Sequence, residues 1–155
     1  MPKPSPVPAP FVGGLEDFLC FSTYSANLAF NRVYKPLLEA MGLTYPQYLA
    51  LVLLWAEDDQ TVGQLGEKLF LESNTLTPLL KRLEALGHVA RSRDPKDERQ
   101  VRIRLTDQGR ALAEQARCVP EEVLRAAGKS PEELRRLNAD MVALRDRLLA
   151  SAKSA

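Results

Sequence analysis

Residues 73–105 read SNTLTPLLKRLEALGHVARSRDPKDERQVRIRL, and a change of period inside this stretch decides the fold. In its first half Leu76, Leu79, Leu80, Leu83 and Leu86 recur at the spacing of one helix face, which predicts a helix over 74–86. Ser73 is its expected N-cap and Gly87 its stop. Pro78 falls in the first turns, where a missing N–H costs least. From His88 onward the period shortens to two. Segments 88–93 and 100–105 read as strands, the second alternating polar and apolar strictly, and the charged loop 94–99 joins them as a hairpin.

Upstream, Thr61 heads a short helix whose apolar face is Val62, Leu65, Leu69 and Phe70, and 71–73 make a turn into the leucine helix. Thr44, close to Pro46, opens another helix through Leu54 and Trp55. Before it, 15–41 reads as one long helix closed by Gly42, with a bend or break expected at Pro36. Its apolar residues, from Leu15 and Leu19 to Leu38 and Met41, are too many for a single stripe, so much of it should be buried. Downstream, Thr106 caps a helix from about Asp107 that Pro120 disturbs. Ser130-Pro131-Glu132-Glu133 is a capping box opening a last helix, on which Leu134, Leu137, Met141, Leu144 and Leu148 form a seam in want of a partner. The order is mainly α with a small β-hairpin wing, the winged helix-turn-helix arrangement.

The 155 residues, 45% hydrophobic and 26% charged, fit one globular domain. No apolar run is long enough to span a membrane. The opening MPKPSPVPAP, with five prolines in ten residues, has neither the basic nor the apolar region of a signal peptide. It reads as a disordered tail, residues 1–14, on a cytoplasmic protein. One histidine and two distant cysteines make no metal site, no glycine-rich nucleotide loop is present, and no cofactor is implied. The net charge of +1 hides an uneven distribution. Residues 11–60 hold two cations against six acids, a balance of −4, and residues 81–104 hold eight cations against four acids, a balance of +4. A basic patch confined to one module is an electrostatic footprint for phosphate, so double-stranded DNA is the expected partner.

On the leucine helix Ser73, Asn74, Thr75 and Thr77 are short polar side chains suited to base edges at a helix N-terminus. Lys81 and Arg82 follow at the spacing for backbone phosphates, and Arg91 lies in the first wing strand. At the wing tip Arg99 is placed for a minor groove, with Asp97 to hold its guanidinium. Cys20 stands near the start of the first helix, where the dipole favours thiolate. Tyr24 shares its face. Tyr34 is fourteen residues on, about 21 Å along the axis, so one chain cannot bring it to Cys20; if two copies of the helix cross in a dimer, Tyr34 or Tyr45 of one could meet Cys20 of the other. From the residues alone, a buried inert cysteine and a reactive one both stand.

The recognition-helix residues 73–84, together with Asp97-Glu98-Arg99 and Leu105-Thr106-Asp107-Gln108-Gly109, resemble the MarR (multiple antibiotic resistance regulator) family. Cys20, Tyr24, Tyr34-Lys35-Pro36-Leu37-Leu38 and Leu43-Thr44-Tyr45-Pro46-Gln47-Tyr48 are similar to its organic hydroperoxide resistance regulator (OhrR) branch, two-cysteine type. The resemblance implies a homodimer on a pseudo-palindromic operator, with 15–42 and 107–155 as dimerisation helices and 44–105 as the DNA-binding module of one domain, 15–155. It also implies that Cys20 senses an organic hydroperoxide beside Tyr24, Tyr34 and Tyr45, that either Cys118 resolves the oxidised sulfur as a disulfide or a small external thiol caps it, and that the chain is a repressor and not an enzyme. Two rivals remain at this point: a regulator answering a small aromatic ligand, and a thiol peroxidase, which would need a cation by the thiol that Arg32 and Lys35 are too far along the chain to supply.

Overall fold

Caps written into the sequence set where most helices begin. The structure, a computed structural model, describes residues 13–153, so most of the expected Pro-rich tail lies outside the described residues. A 3₁₀ turn, Leu15–Asp17, precedes α1 (Leu19–Glu39). In α2 (Tyr45–Ala56) the Thr44 N–H donates to Gln47 Oε1 at 2.9 Å, closing a capping box over Pro46. β1 (Gln60–Thr61) runs into α3 (Val62–Leu69), where Gln64 N–H donates to Thr61 Oγ1 at 3.1 Å. Then come α4 (Ser73–Ala85), β2 (Val89–Arg93) and β3 (Val101–Leu105). The Thr106 hydroxyl accepts from Gly109 N at 3.0 Å to start α5 (Asp107–Ala116), which is followed by α6 (Val119–Ala127). Glu133 N–H donates to Ser130 Oγ at 3.2 Å at the head of α7 (Pro131–Lys153).

Several expectations change. The first helix starts at Leu19 rather than Leu15, because Phe18 is extended, and it passes through Pro36 unbroken. Pro36 lies in the last turn, where it removes one bond to an exposed carbonyl. The helix is also not largely buried: within α1 only Leu38 is, while Leu19, Tyr24, Leu28 and Phe30 stand exposed, Leu19 and Phe30 bordering open grooves against α7 and α6. Ser73 is not the cap of α4; Glu72 takes that extended position without a side-chain cap bond, and Ser73 becomes the first helical residue. The helix begun at Asp107 ends at Ala116, and Pro120 sits in the first turn of a new one. Finally, the wing pair gains a third strand in the order β1-β3-β2, with Gln60 opposite Ile103. Two polar residues are too short for any period to show.

The core holds Leu51, Leu54, Leu65, Leu76, Leu80, Leu83 and Ile103, at most 1% exposed, so α2, α3, α4 and β3 form one packed unit. Gly87, at φ +81, ends α4: its N–H donates to Glu84 O and that of His88 to Leu83 O, which turns the chain straight into β2. Gly109 lets α5 lie against that corner, since a β-carbon there would collide with the His88 carbonyl, and Gly109 O accepts from Trp55 Nε1 at 2.9 Å. These crossings fix the wing relative to α4.

Candidate functional site

Between α3, the start of α4 and the wing lies a polar cleft of about 540 Å³, lined among others by Gln64, Ser73, Thr77, Arg91, Arg99 and Gln100. Ser73, Asn74, Thr75, Lys81 and Arg82 are exposed and Thr77 half-buried. At the wing tip Asp97 Oδ1 accepts from Arg99 N at 3.1 Å and from its Nε at 3.4 Å, and Gln100 Nε2 donates to Asp97 Oδ2 at 3.2 Å. The Arg99 side chain is 95% exposed, so the carboxylate sets its root and leaves its guanidinium face to solvent. Arg91 is more enclosed: Glu84 lies 3.7 Å from its Nη1, and its Nε has no hydrogen-bond partner.

Not all the basic residues counted in 81–104 are free. Arg102 Nε meets Asp59 Oδ1 at 2.8 Å and its Nη1 meets Asp94 Oδ2 at 2.8 Å, while Arg104 Nε lies 3.0 Å from Asp59. Hydrogen bonding from Arg102 holds the Asp59 carboxyl below its usual range. Burial pushes the neighbouring Asp58 up, but N–H donors from Leu105 and Asp59 and the Arg110 guanidinium outweigh it and bring it down. Arg102 and Arg104 of the basic stretch are therefore shared with Asp59 of the acidic one, in an ion-pair network that fastens the turn after α2 to β3. The cations that remain exposed, Lys81, Arg82, Arg93, Lys96 and Arg99, lie on α4 and the wing.

Cys20 is the second residue of α1 and exposed, nearer the helix start than the longer expected helix implied. It lines an apolar groove of about 590 Å³ with Leu19, Thr23, Met141, Leu144, Arg145, Leu148 and Leu149, between α1 and α7. Arg145 is a residue that sequence reasoning missed. The nearest cations along the chain were expected to be Arg32 and Lys35, but α7 brings Arg145 to the lining of the same groove, its guanidinium lying over Phe70 and bonded to Asp146. The available signal was Arg145 standing four residues after Met141 and three before Leu148, a charge set into the apolar seam.

Tyr24 is 60% exposed, its ring 6.5 Å from Phe21. Tyr34, Tyr45 and Tyr48 form a separate cluster, with ring centroids 4.6 Å apart for Tyr34–Tyr45 and 6.0 Å for Tyr34–Tyr48. Burial, then the proximity of Tyr45 and Tyr48, pushes the Tyr34 phenol up to about 12. Burial also raises Tyr45 and Tyr48, and Cys118 contributes to the rise at Tyr48, which sets that second thiol beside the cluster. These phenols are hydrogen-bond donors throughout the neutral range. Cys118 is free and exposed at the junction of α5 and α6. Since α1 is continuous, fourteen residues put the cluster about 21 Å of helix from Cys20. The structure thus joins Tyr34 and Tyr45 to each other and to the neighbourhood of Cys118, but brings none of them to the Cys20 of the same chain, far beyond the ~7 Å between α-carbons that a disulfide spans.

Comparison with known proteins places this geometry. The family described as transcriptional regulator SarA/Rot matches residues 32–116. The HTH-type transcriptional regulator TtmR of Methylorubrum extorquens (strain PA1) is 51% identical over 140 residues, 90% of this chain and 72% of that protein. The organic hydroperoxide resistance transcriptional regulator of Bacillus subtilis (strain 168) is 44% identical over 134 residues, 86% of this chain and 91% of the relative. Among solved structures, overoxidized AbfR bound to DNA matches with a TM-score of 0.71 at 40% identity, covering 84% of this chain and 91% of that one. Disulfide-formed AbfR matches with a TM-score of 0.58 at 38% identity, covering 87% and 90%; AbfR is a Staphylococcus epidermidis protein. The chain belongs to the SarA/Rot, MarR-like family of winged helix-turn-helix transcriptional regulators.

Proposed function

We propose that this chain is a homodimeric repressor that senses organic hydroperoxides through Cys20 and releases a pseudo-palindromic operator when that thiol is oxidised. The observation that carries the reading is Cys20 itself: an accessible thiol in the first turn of α1, set in an apolar groove. The similarity to the Bacillus subtilis hydroperoxide regulator extends over most of both chains and supports it.

The chemistry is a two-electron oxidation. The Cys20 thiolate attacks one oxygen of the hydroperoxide, the O–O bond breaks, and the alkoxide takes a proton and leaves as an alcohol, with sulfenic acid left on sulfur. Cys118 of the partner then attacks that sulfur, forming the S–S bond and releasing water. Apolar lining favours an alkyl or aryl hydroperoxide over hydrogen peroxide. In the dimer the partner's Tyr34 and Tyr45 donate hydrogen bonds to the thiolate, which their protonated state permits. AbfR is found on DNA in an overoxidized form, so the disulfide, more than added oxygen, is the event assigned to release. On DNA, Ser73, Asn74, Thr75 and Thr77 read bases, Lys81 and Arg82 take phosphates, Arg91 supports the cleft, and Arg99, rooted by Asp97, enters the minor groove.

Gel-shift titration tests this, using a duplex enriched from a random pool by the reduced protein. Wild type is expected to lose it after treatment with cumene hydroperoxide, and Cys20→Ser to stay bound. Release of Cys20→Ser would transfer the role to another effector. Under excess reductant the protein should consume about one hydroperoxide per Cys20; continuous turnover would make it a peroxidase.

A further inference from the structure

Phe70 occupies a backbone position that phenylalanine seldom takes. It is the C-cap of α3, at φ 57 and ψ 37, and only Leu71 and Glu72 separate it from α4. The left-handed region disfavours a residue with a large β-substituent, so surrounding contacts must hold it there. Its N–H donates to Glu67 O at 3.4 Å and that of Leu71 to Gly66 O at 3.0 Å, so the residue sets the angle between α3 and the DNA-reading helix. Burial does little for it, because the side chain is 57% exposed. What covers the ring comes from the far end of the sequence: the Arg145 Cζ stands 4.6 Å from its centroid.

Arg145 faces two ways. It lines the groove that contains Cys20, and it lies over Phe70. Its Nη2 and Nε donate to Asp146 Oδ1 at 2.7 and 2.9 Å, which fixes the plane of the guanidinium. The helix that carries it has no buried residue, so its seat on the rest of the chain is shallow. Within one chain, few buried contacts oppose a shift of α7 when the volume or polarity of the groove changes.

We propose that Arg145 is a positioning residue that couples the oxidation state of Cys20 to the α3–α4 turn through Phe70. The inference rests on the redox reading above and deepens it. When Cys20 undergoes the two-electron oxidation to sulfenic acid and then disulfide, the groove no longer accommodates α7 in its reduced seat. Arg145 withdraws from the ring, the turn at Phe70 relaxes, and α4 leaves the register it holds relative to the wing. No bond to Arg145 or Phe70 is made or broken.

The test separates sensing from transmission. Full-length wild type, Arg145→Gln, Arg145→Lys and Phe70→Leu are oxidised with cumene hydroperoxide to the same extent, read as the fraction of Cys20 blocked to alkylation. Each is then titrated with the enriched duplex. Wild type should lose affinity by about tenfold or more, the scale of an allosteric coupling. Arg145→Gln and Phe70→Leu, which remove the contact that oxidation is proposed to break, should bind the duplex about tenfold more weakly than wild type even when reduced and lose no more than about twofold further when oxidised, and Arg145→Lys, which keeps a cation over the ring, should respond as wild type does. Wild-type affinity of reduced Arg145→Gln would overturn the proposal, and so would a further loss of about tenfold when it is oxidised, at an unchanged melting temperature. The redox reading fails separately, if oxidised wild type keeps its duplex.

Discussion

His88 stands at the corner where α4 turns into β2, its side chain 6% exposed and its Nδ1 without a hydrogen-bond partner. Burial penalises the imidazolium and lowers its pKa below the ordinary value of about 6.5. The unfolded chain therefore takes up the proton first as pH falls. Stability that is complete above about pH 6.5 should decline as the pH drops through the lower folded value. Melting temperatures taken from about pH 7.5 to 5.5 should fall for wild type, and fall less for His88→Phe, which keeps the ring volume without the titration; parallel curves would remove His88 from the account. Gly109 beneath this corner and Gly87 within it could be noted from sequence only as helix punctuation. The carbonyl that forbids a β-carbon at Gly109 arrives from a residue twenty-one positions earlier, and no local pattern announces it.

At the scale of elements, local chemistry was the legible portion. Thr44 with Gln47, Thr61 with Gln64 and Ser130 with Glu133 place helix starts because each pair satisfies backbone donors within four residues. The switch from leucine spacing to alternation at His88 locates the wing for the same reason. Where a boundary is set by something distant, the sequence is silent. β1 exists because β3 pairs with it, and Arg102 looks like a phosphate ligand until Asp59 and Asp94 are seen to hold it. The cysteine and tyrosines stand out by type, whereas Arg145 and Phe70 acquire meaning only from how α7 lies. The wing permits a direct measurement. Because Arg99 is rooted by Asp97 yet exposed, Arg99→Ala should weaken duplex binding and reduce the slope of log affinity against log salt by about one. An unchanged slope would place the wing tip off the DNA.

For the whole molecule, the telling surface is the one the chain leaves uncovered. Leu19, Leu28 and Phe30 of α1, and Leu137, Leu148 and Leu149 of α7, are each 41% exposed or more. That amount of apolar surface on the first and last helices of a chain is the mark of an interface. The long first helix looked from its composition like a buried one, and in the proposed homodimer it is. Leu137→Glu combined with Leu148→Glu should therefore give a monomer by sedimentation, with the α2–β3 unit still folded by circular dichroism. A dimer surviving both changes would move the interface elsewhere.

The continuity of α1 has a genetic corollary. In the proposed sensor, a helix that holds thiol and phenols about 21 Å apart obliges every complete junction to draw its halves from two gene products. A subunit lacking Cys20 and another lacking Tyr34, each unresponsive with its own kind, rebuild one whole junction when co-expressed. The same two lesions in a single allele spoil both junctions of any mixed dimer with wild type. Defects in this regulator should accordingly complement between alleles, and the most damaging alleles should be dominant.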